Sequence, residues 1–138
     1  MKCYAVVDTN VLVSSLITNN NDSATVQVVK KIFTGEITPL FSGEILNEYS
    51  EVLHRPKFGL DKELLDTVLA AIEDAGILIS PSQTGEILPD MKDLPFYEAV
   101  LECRDKSAYL VTGNIKHFPE KPFIVTPAQF LEVMTENK

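Results

Sequence analysis

The run from Lys2 to Val7 is β-favouring and almost wholly apolar, and it ends abruptly at Asp8. A strand with one face in water alternates apolar and polar residues. This one does not, so it reads as a central strand buried on both faces, the situation of a parallel sheet with helices on each side. A chain committed to such a strand must also supply crossover helices. Polar residues that directly follow its strands then arrive at the carboxyl edge of the sheet, where open α/β sheets bind ligands.

The spacing of apolar residues provides those helices. After Thr9, the positions Val11, Leu12 and Leu16 suit a short helix that the polar stretch Thr18 to Asp22 breaks. Ala24, Val28 and Ile32, with Val29 and Phe33 beside them, form one helical face ending at Gly35, and Thr38 to Phe41 reads as a strand. From Gly43 to Leu53, Ile45, Leu46, Tyr49, Val52 and Leu53 share a stripe while Glu44, Glu48 and Glu51 line the other side, until Pro56 stops the helix. Asp61 is placed to cap a further helix with core positions Leu64, Leu65, Val68, Leu69 and Ile72, closed by Gly76 as a C′ residue.

Ile77 to Ile79 follows as a short strand. Pro81 to Pro95, with three prolines and Gly85, is the longest irregular stretch and carries Glu86, Asp90 and Asp93. Leu94-Pro95 opens a helix bearing Phe96, Tyr97, Val100 and Leu101. Ala108 to Val111 and Phe123 to Val125 read as strands, and Pro127 to Thr135 as a closing helix. Strands alternating with helices, with no repeat or linker among 138 residues, predict one α/β domain over residues 1–138 around a parallel sheet.

Composition narrows the class further. Hydrophobic residues at 45% and charged residues at 23% are globular proportions. The longest apolar runs, such as Tyr4 to Val7, fall far short of the ~20 residues that cross a bilayer, and the start of the chain does not resemble a signal peptide, so a cytoplasmic protein is expected. Cys3 and Cys103 stand in apolar segments outside any Cys-x-x-Cys spacing, which favours buried, reduced thiols. A net charge of −8 argues against tight, non-specific nucleic-acid binding.

Asp8, Thr9 and Asn10 follow the first strand, Thr112, Gly113 and Asn114 follow a later one, and Asp93 opens the helix before it. Glu48 sits one turn beyond Glu44 on the polar side of its helix, able to lean over the same opening. Gathering Asp8, Glu48 and Asp93 costs repulsion and raises carboxylate pKa values unless a hard divalent cation neutralises them, and Mg²⁺ or Mn²⁺ suits oxygen donors. Such an ion activates water and stabilises charge on a phosphodiester, so phosphodiester hydrolysis is the chemistry permitted. Taken singly, Asp8 and Asp93 also fit as N-caps and Glu48 as one charge on a solvated face. His54 and His117 lack metal-ligand spacing and are read as surface or packing residues.

The run Ala5-Val-Val-Asp8-Thr-Asn10-Val-Leu12 resembles the opening motif of PIN domains. Glu44-Ile-Leu-Asn-Glu48-Tyr-Ser-Glu-Val-Leu53 resembles that family's acidic helix, Asp90-Met-Lys-Asp93 its third acidic block, and Tyr109-Leu-Val-Thr-Gly-Asn114 its last, with Lys116-His-Phe-Pro119 behind. The resemblance implies a three-layer α/β/α PIN-like fold and a Mg²⁺- or Mn²⁺-dependent endoribonuclease. It is most similar to the toxin components of toxin–antitoxin pairs, which implies an antitoxin partner and a homodimer.

Carried over by position, Asp8, Glu48 and Asp93 are the metal carboxylates, with Asn10 and Thr112 orienting ligands, water or backbone and Asp90 a spare acid. Asn114 departs from the family, which often has a fourth Asp there. An amide brings no charge, so one firmly held ion is expected and activity is expected to be weak. Lys30, Lys31, Lys57, Lys62, Lys116 and Lys121 are the positive positions open to RNA. Two other readings compete: a PIN-shaped binding module that has lost catalysis through Asn114, and a Mg²⁺-dependent aspartyl-phosphate protein of phosphatase or receiver type, against which Asn10 counts in its phosphatase form.

Overall fold

The computed structural model describes residues 3–136. Lys2, expected in the first strand, lies outside them. Strand β1 (Cys3–Val7) leads into α1 (Thr9–Ile17) and α2 (Ala24–Phe33), then β2 (Ile37–Phe41), α3 (Gly43–Leu53), α4 (Lys62–Ala75) and β3 (Ile77–Leu78). The irregular stretch ends in a single 3₁₀ turn at Met91–Asp93 and passes into α5 (Leu94–Glu102), β4 (Tyr109–Val111), β5 (Ile124–Val125) and α6 (Pro127–Glu136).

The strands lie in the order β3-β2-β1-β4-β5, and every pairing is parallel. The expected three-layer architecture is present. β1 is central, paired with β2 through Cys3–Ile37 and with β4 through Val7–Val111. Its last three residues are buried, as an apolar strand walled by helices requires. Pro39 stands in β2 although proline cannot donate to a ladder; β3 reaches only Leu40 and Phe41, so that flank of Pro39 carries no strand pairing.

One hydrophobic cluster runs through the described residues, with Val6, Leu12, Ile32, Leu40, Tyr49, Phe96, Leu110 and Phe130 at or near zero exposure. Two residues assigned to inward faces from their spacing are corrected. Phe33 and Leu64 are 48% and 45% exposed, because both sit at the margin of an apolar stripe, where periodicity fixes the centre of a face better than its edge. Cys103 is buried and Cys3 half-buried, and both thiols are free.

Gly76 follows α4 as expected, but it is not a left-handed C′ residue, since its φ is −114° and ψ −168°. Its requirement is space. A Cβ there would press on the Pro39 carbonyl oxygen and lie 2.5 Å from Cε2 of the Phe41 ring, so the turn into β3 passes directly over β2. Gly76→Ala is expected to lower unfolding free energy by about 1–3 kcal/mol through overpacking, read as a lower urea midpoint with unchanged slope.

Candidate active site

The carboxyl end of β1 is tied to its neighbours by three bonds. The Asp8 amide donates to the Val111 carbonyl at 2.9 Å, continuing the β1–β4 ladder by one residue. Tyr49, fully buried on α3, donates its hydroxyl to the Val7 carbonyl, fixing α3 against the strand end. Thr112, buried just past β4, donates its hydroxyl to Asp8 Oδ2 at 2.7 Å. Asp8 thereby sits 5% exposed in a fixed orientation.

The polar shell extends outward from there. Asn10 donates its side-chain N–H to Asp8 Oδ2 at 3.2 Å and accepts the Gly113 amide at 3.2 Å, bridging the loops after β1 and β4. The Asn114 amide donates to the Thr112 hydroxyl at 3.0 Å, so Thr112 both donates and accepts. Thr9 donates its hydroxyl to Glu48 Oε2, joining the first turn of α1 to the middle of α3. The sequence places Thr9 at the strand end, but its bond to Glu48 is not legible there, because that partner is distant in the chain.

Asp8 and Asp93 both stand at N-cap positions, yet neither makes a side-chain capping bond, so the ordinary reading of them as caps does not describe this structure. Asp93 Oδ2 is buried without a hydrogen bond; its nearest described partner is His117 Nδ1 at 3.4 Å. His117, expected at the surface or in packing, is exposed, and its ring also approaches Asp93 at the acidic site. His54 does keep to the surface, its ring against the Ser50 carbonyl and Asp66.

Glu48, Asp93, Asp90, Thr9 and Asn10 line an open cleft of about 470 Å³, with Asp8 at the strand end behind them. A larger hollow of about 560 Å³ lies around Phe118, Pro119 and Pro122, where only Glu120 carries an acid, so the chemistry selects the smaller cleft. Asn114 lines an adjoining depression with Asn10 and Gly113, outside the cleft that holds Glu48 and Asp93. Among the described residues no three of His, Cys, Asp and Glu converge tightly enough to form a ready-made metal cage.

The three carboxyls nonetheless act on one another. Burial pushes the Asp8 carboxyl up from 3.8 to about 6, the Thr112 hydrogen bond opposing this and the charge of Asp93 adding to it. Burial likewise raises Glu48, with Asp8 repelling it, and raises Asp93, with Asp90 and Glu48 repelling it. A buried Asp93 oxygen met among the described residues only by the His117 ring at 3.4 Å, together with three mutually repelling oxygen donors, fits a hard divalent cation with water completing its shell.

Of the lysines read as open to RNA, Lys31 is paired with Glu36 at 3.5 Å and Lys62 with Asp66 at 3.8 Å, while Lys116 and Lys121 border the larger hollow. The cations that line the acidic cleft are Arg55 and Lys92, which the sequence did not single out.

A family model described as PIN domain matches residues 4–116, and the chain belongs to the PIN domain family. Its fold is that of a family composed in general of nucleases. No curated protein and no solved structure matches it.

Ionising Asp8 is harder in the folded protein than in the unfolded chain, so the metal-free fold binds the extra proton between pH 4 and pH 6. Its stability therefore falls as pH rises through that window, by on the order of 3 kcal/mol for this group. Calorimetry in EDTA should show Tm falling over that range, and Mn²⁺ should remove most of the fall above pH 6.

Proposed function

We propose that the chain is a metal-dependent endoribonuclease, with Asp8, Glu48 and Asp93 as the carboxylates that hold Mg²⁺ or Mn²⁺. The observation that carries this reading is the buried Asp8 carboxyl, raised to about 6 beside two further raised carboxyls in one cleft. A cluster that costs stability when ionised is expected where a cation is to be received. When bound, the ion supplies an activated water and neutralises charge on a phosphodiester undergoing in-line displacement.

The chain's own groups provide the rest. Thr112 and Asn10 hold Asp8 Oδ2 in one orientation, and Thr9 does the same for Glu48. His117 stands behind Asp93. Asn114 donates its backbone amide to Thr112 and contributes no charge; one firmly held ion and modest turnover are part of this proposal. RNA as substrate, an antitoxin as protein partner, a homodimer, a cytoplasmic setting and a single domain over residues 1–138 all follow from the resemblance and the composition, and belong to this proposal. Its rival is a PIN-shaped binding module, favoured by the absence of a ready-made cage among the described residues.

Cleavage of mixed-sequence single-stranded RNA with Mg²⁺, Mn²⁺ or EDTA decides between them. Asp8→Asn is expected to reduce metal-dependent cleavage by on the order of 100-fold or more while raising Tm at pH 7 in EDTA, because it removes the buried charge at constant size. Full activity in that variant would sink the assignment; metal binding by the wild type with no cleavage favours the module. Asn114→Asp is expected to tighten Mn²⁺ binding by about 10-fold in calorimetry where the adjoining depression opens onto the ion, and unchanged binding counts against its place in the site.

A further inference from the structure

The acidic cleft has a second half whose chemistry is different. On α1 its wall runs from Thr9 and Asn10 to Val13 and then Ile17, and on α3 and beyond it runs from Glu48 to Val52 and then Phe58. On α1, Thr9, Val13 and Ile17 repeat every four residues with Ser14 beside them, and on α3 Val52 stands one turn, ~5 Å, beyond Glu48, so each helix changes from polar to apolar within the cleft; Phe58 lies past the end of α3 in the turn Pro56–Phe58. Ile17 is 49% exposed although it ends a helix of the core, and Phe58 is half-buried.

Cations stand at the same cleft. Lys92 lines the cleft together with Glu48 and Asp93. Among the described residues Arg55 is held by an exposed pair with Glu51 at 3.5 Å, an attachment of little strength that a phosphate could replace. The Lys57 ammonium lies over the Phe58 ring, 5.1 Å from its centroid, so a base stacking there takes the ring's other face or displaces this cation.

We propose that this apolar half is a seat for one nucleobase of single-stranded RNA, stacked on Phe58 between Val13, Ile17 and Val52, with the neighbouring phosphates reaching Lys92 and Arg55. The inference rests on the nuclease reading and gives it a substrate-positioning element. A molecule that is anionic at one end and flat and apolar one helical turn away matches a cleft graded in that order, and an aromatic platform accepts any base because every base offers a π-face. A duplex keeps its bases stacked and paired, so the seat selects unpaired RNA. It also resolves the charge problem: a protein at −8 needs little positive surface if it grips one base and two phosphates locally.

The test measures binding of a fluorescent RNA octamer in Mn²⁺ by anisotropy, with cleavage followed separately. Phe58→Ala is expected to weaken binding about 10-fold or more, and Phe58→Leu, which keeps the packing but not the stacking, to weaken it nearly as much. An abasic ribose walked along the octamer should weaken wild-type binding at one position above all. At that position Phe58→Ala should add no further loss, and both variants should bind Mn²⁺ as the wild type does. Unchanged octamer binding in the two variants overturns the proposal, as does a loss that simply adds to the abasic loss at every position; either leaves the apolar wall to a protein segment. Octamer binding with the stated pattern but no cleavage upholds the seat and removes the nuclease reading, whereas a wild type that binds no RNA removes both.

Discussion

Everything in the cleft depends on one carboxyl being kept out of water. Asp8 follows a strand with no freedom to tilt, because β1 is hydrogen-bonded on both edges and packed on both faces. The desolvation this imposes is larger than any single hydrogen bond Asp8 receives. The surrounding groups make sense as responses to that cost. Thr112 and Asn10 offset part of it, and Tyr49 spares the adjoining Val7 carbonyl from being buried without a partner.

This arrangement explains why the acids occupy different kinds of element. Asp8 is fixed by the sheet, Glu48 by a helix pinned through its neighbour Tyr49, and Asp93 by the junction of a 3₁₀ turn with α5. Three independent anchors hold three charges that would separate if they were free to do so. The fold's apolar packing holds them together, and burial, with their mutual repulsion adding to it, keeps all three carboxyl pKa values raised.

Much of this was legible in the sequence. An apolar strand ending in Asp, a helix with acids opposite an apolar stripe, and Leu94-Pro95 at a helix start place the carboxylates on the correct elements, because period and punctuation are local signals. What was hidden depends on contacts between distant segments. Nothing in the spacing of His117 announces Asp93, and Thr9 gives no local sign of Glu48. Arg55, Lys92 and Phe58 read as ordinary surface residues until the folding of the chain puts them on one cleft. Gly76 carried the expected punctuation for a different physical reason, close approach rather than left-handed backbone.

The irregular stretch before Asp93 has a role that its composition conceals. Ser82 and Thr84 donate to Glu102 and Glu98 on α5, and Leu88 is buried, so the stretch is stitched down on both sides of a short exposed arc at Gly85, Glu86 and Ile87. Two of the acids counted in the net charge are therefore fasteners and not part of any ligand shell. Because the arc is anchored at both feet, it is the place where chain could be inserted, or the backbone nicked, without loosening the turn that presents Asp93.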